Sequence, residues 1–170
     1  MQRYQELRPI NKIQILIGAT ALIIGSLVYI IDRPADYTYF VYSGPTSISL
    51  YKIIPNLFGL IGNNLPAFVH IFSFILLTAG VLSCQKRGCL FICLSWFFLD
   101  CAFELGQKFK TVPLKIIPAW FSGIPFLENT RTYFLGGTFD VLDLVAIALG
   151  TIAAYLILLN TNKEKRRAMA

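Results

Sequence analysis

The sequence predicts an all-α integral membrane protein: four transmembrane helices with two outward-facing interfacial or re-entrant connections. Three observations carry that prediction. The chain of 170 residues is 56% hydrophobic and only 14% charged, too few polar side chains to cover a soluble globule of this size. Four runs approach the roughly 20 apolar residues needed to cross a bilayer core. The two long stretches between them are broken by proline and carry tyrosine and tryptophan, residue types suited to the headgroup level.

Each span follows from its own residues. The first, "IQILIGATALIIGSLVYII" (13–31), is longer than a signal-peptide h-region and lacks a convincing small-x-small cleavage site, so it reads as a retained anchor. The others are "PAFVHIFSFILLTAGVLS" (66–83), "CLFICLSWFFLDCAFELG" (89–106) and "TFDVLDLVAIALGTIAAYLILL" (138–159). Residues 1–170 form one transmembrane domain, without a repeat or a soluble unit. In the connection at 107–137, Pro113, Pro118 and Pro125 forbid one continuous helix, and Trp120 anchors short pieces at the interface. The connection at 32–65 is rich in tyrosine, and together the two form a partial lid.

Charge sets the orientation. Arg3, Arg8, Lys12, Lys86, Arg87, Lys163, Lys165, Arg166 and Arg167 make nine of fifteen basic residues, and all lie on one side if both termini are cytoplasmic, as the positive-inside rule favours. The net charge of +6 then reflects topology and attraction to anionic headgroups. The basic residues are scattered and no recognition motif accompanies them, which excludes nucleic acid as a partner. Cys84, Cys89, Cys93 and Cys101 lie in or beside span three, mostly toward the reducing side. The expectation is free thiols packed as small apolar groups, with no zinc site because the single histidine, His70, belongs near the other face.

Carboxylates cost free energy in an apolar medium unless they are paired or hydrated, and four of them sit in the spans. With span three ending near Gly106, Asp100 and Glu104 fall roughly 9 and 3 Å below the outer boundary. Asp100, Glu104 and Gln107 are four and three apart, hence on one helical face. Span four starts at the same level with Asp140 and Asp143 on a common face, and span two with His70 as its fifth residue. Convergence of these groups from three spans predicts a polar, outward-opening pocket, rimmed by the cations Arg33, Lys108, Lys110 and Arg131.

"ELGQ" (104–107), followed by "DVLDLVAIALG" (140–150) and preceded by "LPAFVHIFSFILLT" (65–78), resembles the signature of the VanZ-like membrane proteins. The resemblance covers spans two to four and carries over His70, Glu104, Gln107, Asp143 and Gly150. The chain departs from that pattern in Phe103, where an acidic residue is frequent, in Ile147, where asparagine is, and in Arg131, the only and distant candidate for an arginine before the aspartate. The resemblance implies a bacterial cytoplasmic-membrane protein of the cell envelope, some of whose relatives confer resistance to glycopeptide antibiotics such as teicoplanin.

Three functions fit. One is a pocket that binds or handles a lipid-like or lipid-linked envelope ligand through Glu104 and Asp143, with His70 as candidate acid/base. Another is a structural or regulatory subunit that docks a membrane protein partner or a second copy through small residues such as Gly18, Gly25, Gly150 and Ala154. The third is a small transporter, against which span one and the inner halves of spans two and four carry almost no polar residues, so that no continuous path across the membrane is evident. No nucleophile motif, phosphate loop or HExxH pair occurs, so catalytic residues are not assigned, and the pattern names neither a cofactor nor a metal.

Overall fold

The computed structural model describes residues 10–34, 49–54, 57–125 and 127–168, the side chains of 163–168 excepted. Among them are six α-helices and no strand: α1 (Lys12–Ile31), α2 (Ile61–Leu82), α3 (Lys86–Lys108), α4 (Thr111–Ile116), α5 (Thr130–Gly136) and α6 (Val141–Ala168). Four of these, α1, α2, α3 and α6 over Val141–Asn162, are long and apolar enough to cross a membrane. Their outward faces explain the composition. Leu142, Val145, Leu149, Ile152 and Leu156 of α6 form an exposed apolar stripe that water would penalise and lipid does not.

Helix α2 is the central column, packing most extensively on α1 and α6 and more briefly on α3. The core consists of Ile71, Ile75, Leu76 and Ala79 from α2, Cys89, Ile92 and Cys93 from α3, and Ile147, Ala154 and Leu158 from α6. Two glycines permit the close crossings. A Cβ on Gly25 would lie 2.6 Å from Val69 Cγ1, and one on Gly150 would lie 2.7 Å from both Ile71 Cγ2 and the Phe68 carbonyl oxygen. Within lipid there is no hydrophobic force between helices, so such backbone approach supplies the packing energy.

The spans match those predicted, with one shift that matters. Helix α2 begins five residues before the expected start, with Pro66 inside it. The Gly62 N–H already bonds to the Phe58 and Gly59 carbonyls, so the helix is under way before the proline, which removes only its own donor. At the start of α6, the Asp140 side chain accepts from the Leu142 N–H at 2.9 Å and caps the helix.

The 107–137 connection is broken as expected, into α4, which contains Pro113, the 3₁₀ turns Ala119–Gly123 and Leu127–Asn129, and α5. Helix α5 folds back over the end of α3, where Phe134 stacks on Phe103 at a centroid separation of 5.6 Å. Most of the tyrosine-rich part of the other connection, residues 35–48, lies outside the described residues, as do Arg3 and Arg8.

The cysteine expectation is corrected. Cys84 and Cys89 are joined as a disulfide, their Cα atoms 5.6 Å apart, while Cys93 and Cys101 are free. Cys84 lies in the turn before α3 and Cys89 in its second turn, so the helix start folds one sulfur onto the other despite the absence of a C-x-x-C spacing.

Candidate functional site

At the end where α1 and α3 finish and α2 and α6 begin, polar side chains from three spans meet in two layers. The upper layer is built around Asn64. Its Nδ2 donates to Asp140 Oδ2 at 3.2 Å and to Asp143 Oδ1 at 2.9 Å, tying α2 to α6. Glu104 of α3 accepts the Asp140 backbone N–H at 2.8 Å, tying α3 to the same point. One turn on, Gln107 Nε2 donates to the Tyr133 hydroxyl at 2.6 Å and fastens α5 above them. Glu104 and Gln107 are 7% and 8% exposed, so these bonds are made largely out of solvent, where leaving a donor or acceptor unpaired costs most.

The lower layer is a pair. His70 Nδ1 lies 3.0 Å from Asp100 Oδ2, with the imidazole side chain 49% exposed and the carboxylate only 10%. The His70 ring rests on Phe74, at 4.4 Å between centroids, and faces the edge of Trp96 at 6.5 Å. The early start of α2 explains why this pair stands apart. His70 is the tenth residue of its helix rather than the fifth, about 13 Å from the helix start at ~1.5 Å per residue. Asp100 is about 12 Å from the end of α3, while Asn64, Glu104 and Asp143 lie within about 6 Å of theirs. The predicted convergence therefore resolves into two depths.

Each of the cations expected at the rim has a definite place except Arg131, whose exposed side chain has no described contact. Arg33 Nη2 donates to the Asn63 carbonyl at 3.1 Å, its guanidinium stacks 4.8 Å from the Tyr29 ring, and its charge reaches Asp143. Lys110 Nζ donates to the Leu135 carbonyl at 2.8 Å. Lys108 sits 4.9 Å above the Phe139 ring. Among the described residues, no three His, Cys, Asp or Glu side chains are arranged to hold a metal ion.

Two members of the site escaped the sequence reading. Asn64 falls on the stripe of Phe68, Ile71, Ile75 and Ala79 at spacings of four and three, so tracing that stripe back through Pro66 would have found it. Tyr133 lay in the proline-rich connection, where no periodicity marks a face. Burial pushes its phenol up to about 12, and the neighbouring Glu104, Tyr29 and Asp100 act in the same direction, whereas the Gln107 hydrogen bond opposes them. The residue is 46% exposed overall, with its hydroxyl turned onto Gln107. Gly137 closes this corner, since a Cβ there would fall 2.7 Å from Gln107 Cδ and 2.8 Å from the Tyr133 carbonyl oxygen.

The four spans and their length define a multi-pass integral membrane protein. No protein-family model, curated protein or solved structure matches the chain. The class is therefore as far as the fold carries the identification, and the chemistry of the polar end has to speak for the function.

Proposed function

We propose that the chain is a VanZ-like envelope protein of the bacterial cytoplasmic membrane, both termini cytoplasmic, whose polar end binds or handles a lipid-like or lipid-linked ligand from the outer leaflet. The observation that carries this reading is the gathering of Asn64, Glu104, Gln107, Asp140 and Asp143 at one end of the bundle, with His70 and Asp100 below. Ionisable groups at membrane depth are costly and are concentrated at ligand and ion pathways. In this reading the ligand's head meets Glu104, Gln107 and Asp143, Arg33, Lys108 and Lys110 attract its phosphate or carboxylate, and its chain lies along the apolar helix faces. Resistance to glycopeptides such as teicoplanin is the phenotype this assignment suggests.

A second reading has the same network hold helices for docking a partner membrane protein or a second copy. The half-exposed His70 imidazole on the side of α2 favours it, because a polar group facing lipid wants a partner. A transporter is disfavoured by the apolar core below the site, where Ile75, Leu76, Ala79, Ala154 and Leu158 are fully buried.

The deciding experiment compares wild type with the Glu104→Gln/Asp143→Asn double variant, by native mass spectrometry of the purified proteins and teicoplanin susceptibility of expressing cells. Loss of a co-purifying lipid and a changed susceptibility, with an unaltered melting temperature, supports the ligand reading. An unchanged lipid profile and susceptibility leaves helix packing as the role of the cluster. Alkaline phosphatase fused in the 32–65 connection should be active, and activity at Arg87 instead would invert the orientation.

A further inference from the structure

The opposite end of the bundle carries a sulfur pair that the proposed function does not use. Cys84 and Cys89 are bonded there, at the start of α3 beside Lys86 and Arg87, the basic hairpin on which the cytoplasmic orientation rests. A disulfide on the cytoplasmic side is unusual, because the glutathione and thioredoxin pools keep thiols reduced. Where one occurs in that compartment it is ordinarily catalytic or redox-sensing. No carboxylate or histidine in the described region bonds to this pair, so a catalytic thiol has no base at hand.

The surroundings suit both redox states. Cys89 Sγ lies 3.5 Å from the Cys84 carbonyl oxygen, so a reduced Cys89 has an acceptor for its S–H. The same sulfur accepts from Asn162 Nδ2 at 3.3 Å, and that amide also reaches the Cys84 carbonyl at 3.5 Å. Asn162 is held in turn, since Gln14 Nε2 donates to its Oδ1 at 3.3 Å and to Thr161 Oγ1 at 2.8 Å. Gln14 is 1% exposed. The sulfur pair is thus linked to α1 through Gln14, to α6 through Thr161 and Asn162, and to both α2 and α3 through the turn. Access is uneven: Cys89 is fully buried and Cys84 half-buried, so an incoming reagent meets Cys84 first.

We infer that Cys84 and Cys89 form a reversible redox modification site, a thiol pair that closes into a disulfide under oxidative stress and clasps the cytoplasmic ends of the four spans. In the closing step the Cys84 sulfur attacks one sulfur of a low-molecular-weight disulfide and releases one thiol. Cys89 then displaces the second thiol from the mixed disulfide. Two protein thiols and one small disulfide become one protein disulfide and two small thiols, so protons and electrons balance, and a dithiol reductant reverses the exchange.

The test counts thiols in the full-length protein in its own membrane. Cells are quenched with acid, and the denatured chain is labelled with maleimide-polyethylene glycol, one label per free thiol, before and after exposure to a membrane-permeant small disulfide. The expected result is four labels at rest, two after oxidation and four again after dithiothreitol. Cys84→Ser and Cys89→Ser should each carry three labels at rest and fail to form the internal bond. Two labels at rest that persist through growth would identify a permanent staple and overturn the switch. Four labels that survive oxidation would show that the pair does not close, and would overturn it equally. The inference rests on the cytoplasmic orientation proposed above but not on the lipid reading, since no residue of the polar end is altered.

Discussion

The two ends of this bundle solve the same problem with opposite chemistry. At one end α1, α2, α3 and α6 are joined by neutral groups: Gln14, Thr161, Asn162 and the Asn11 N–H, which donates to the Gly80 carbonyl at 2.8 Å. At the other, Glu104, Asp140, Asp143 and the His70–Asp100 pair make the links. Amides and hydroxyls suffice to register helices in lipid, where such bonds are worth about 0.6–2 kcal/mol each. The carboxylate-rich end therefore carries more electrostatic cost than registration alone requires, and that excess is what the proposed ligand role would account for.

The comparison can be broken most forcefully in the middle. Gly150→Ala places a methyl group against the Phe68 carbonyl and Ile71, a backbone contact that cannot simply rotate away. It should destabilise both ends together by about 1–3 kcal/mol, read as a lowered midpoint of thermal unfolding in detergent, and a wild-type midpoint would show that α2 and α6 can separate at no cost. Next in size, Gln14→Leu removes the hub of the neutral clasp and should cost about 1–2 kcal/mol while leaving any co-purifying lipid in place. Loss of that lipid would mean that the two ends are not separate in function.

A smaller effect sharpens the polar end. The raised pKa of Tyr133, up to about 12 from the ordinary phenol value of 10.0, means that its contribution to stability is present in full below pH 10 and is lost as pH rises through 12. Tyr133→Phe removes both the acceptor for Gln107 and this titration. The wild-type melting temperature should fall more steeply than that of the variant over this range, and parallel alkaline limbs would place the hydroxyl in water. Smallest, and of opposite sign, is Ser73→Ala. The Ser73 hydroxyl is buried without a partner, alone in this among the described side chains, so its removal should stabilise the fold by up to about 1 kcal/mol, read as a slightly raised melting temperature. A loss of stability would mean that the hydroxyl is paired inside the bundle, with a backbone carbonyl or an enclosed water.

Much of this was legible in the residues. Composition and the four apolar runs determined the class and the spans, because crossing ~30 Å of hydrocarbon with every backbone group satisfied leaves only long apolar helices. Pro113, Pro118 and Pro125 foretold a broken connection, since each removes a donor and restricts the residue before it. Glu104 and Gln107 of α3 and Asp140 and Asp143 of α6 announced their common level through spacing and position in their spans, whereas Asp100, placed with them, belongs to the deeper pair. What only the tertiary structure decided was pairing across elements. The extra turn of α2 through Pro66 sent His70 down to Asp100 and brought Asn64 up to Asp140 and Asp143, a change of depth that a proline in the sequence argues against. Tyr133 reached Gln107 because α5 doubles back over α3, and Cys84 met Cys89 because a helix start curls the turn onto it. Hydropathy and helical spacing are local quantities; the partner of a buried polar atom depends on where a distant segment turns, and that is fixed only when the helices pack.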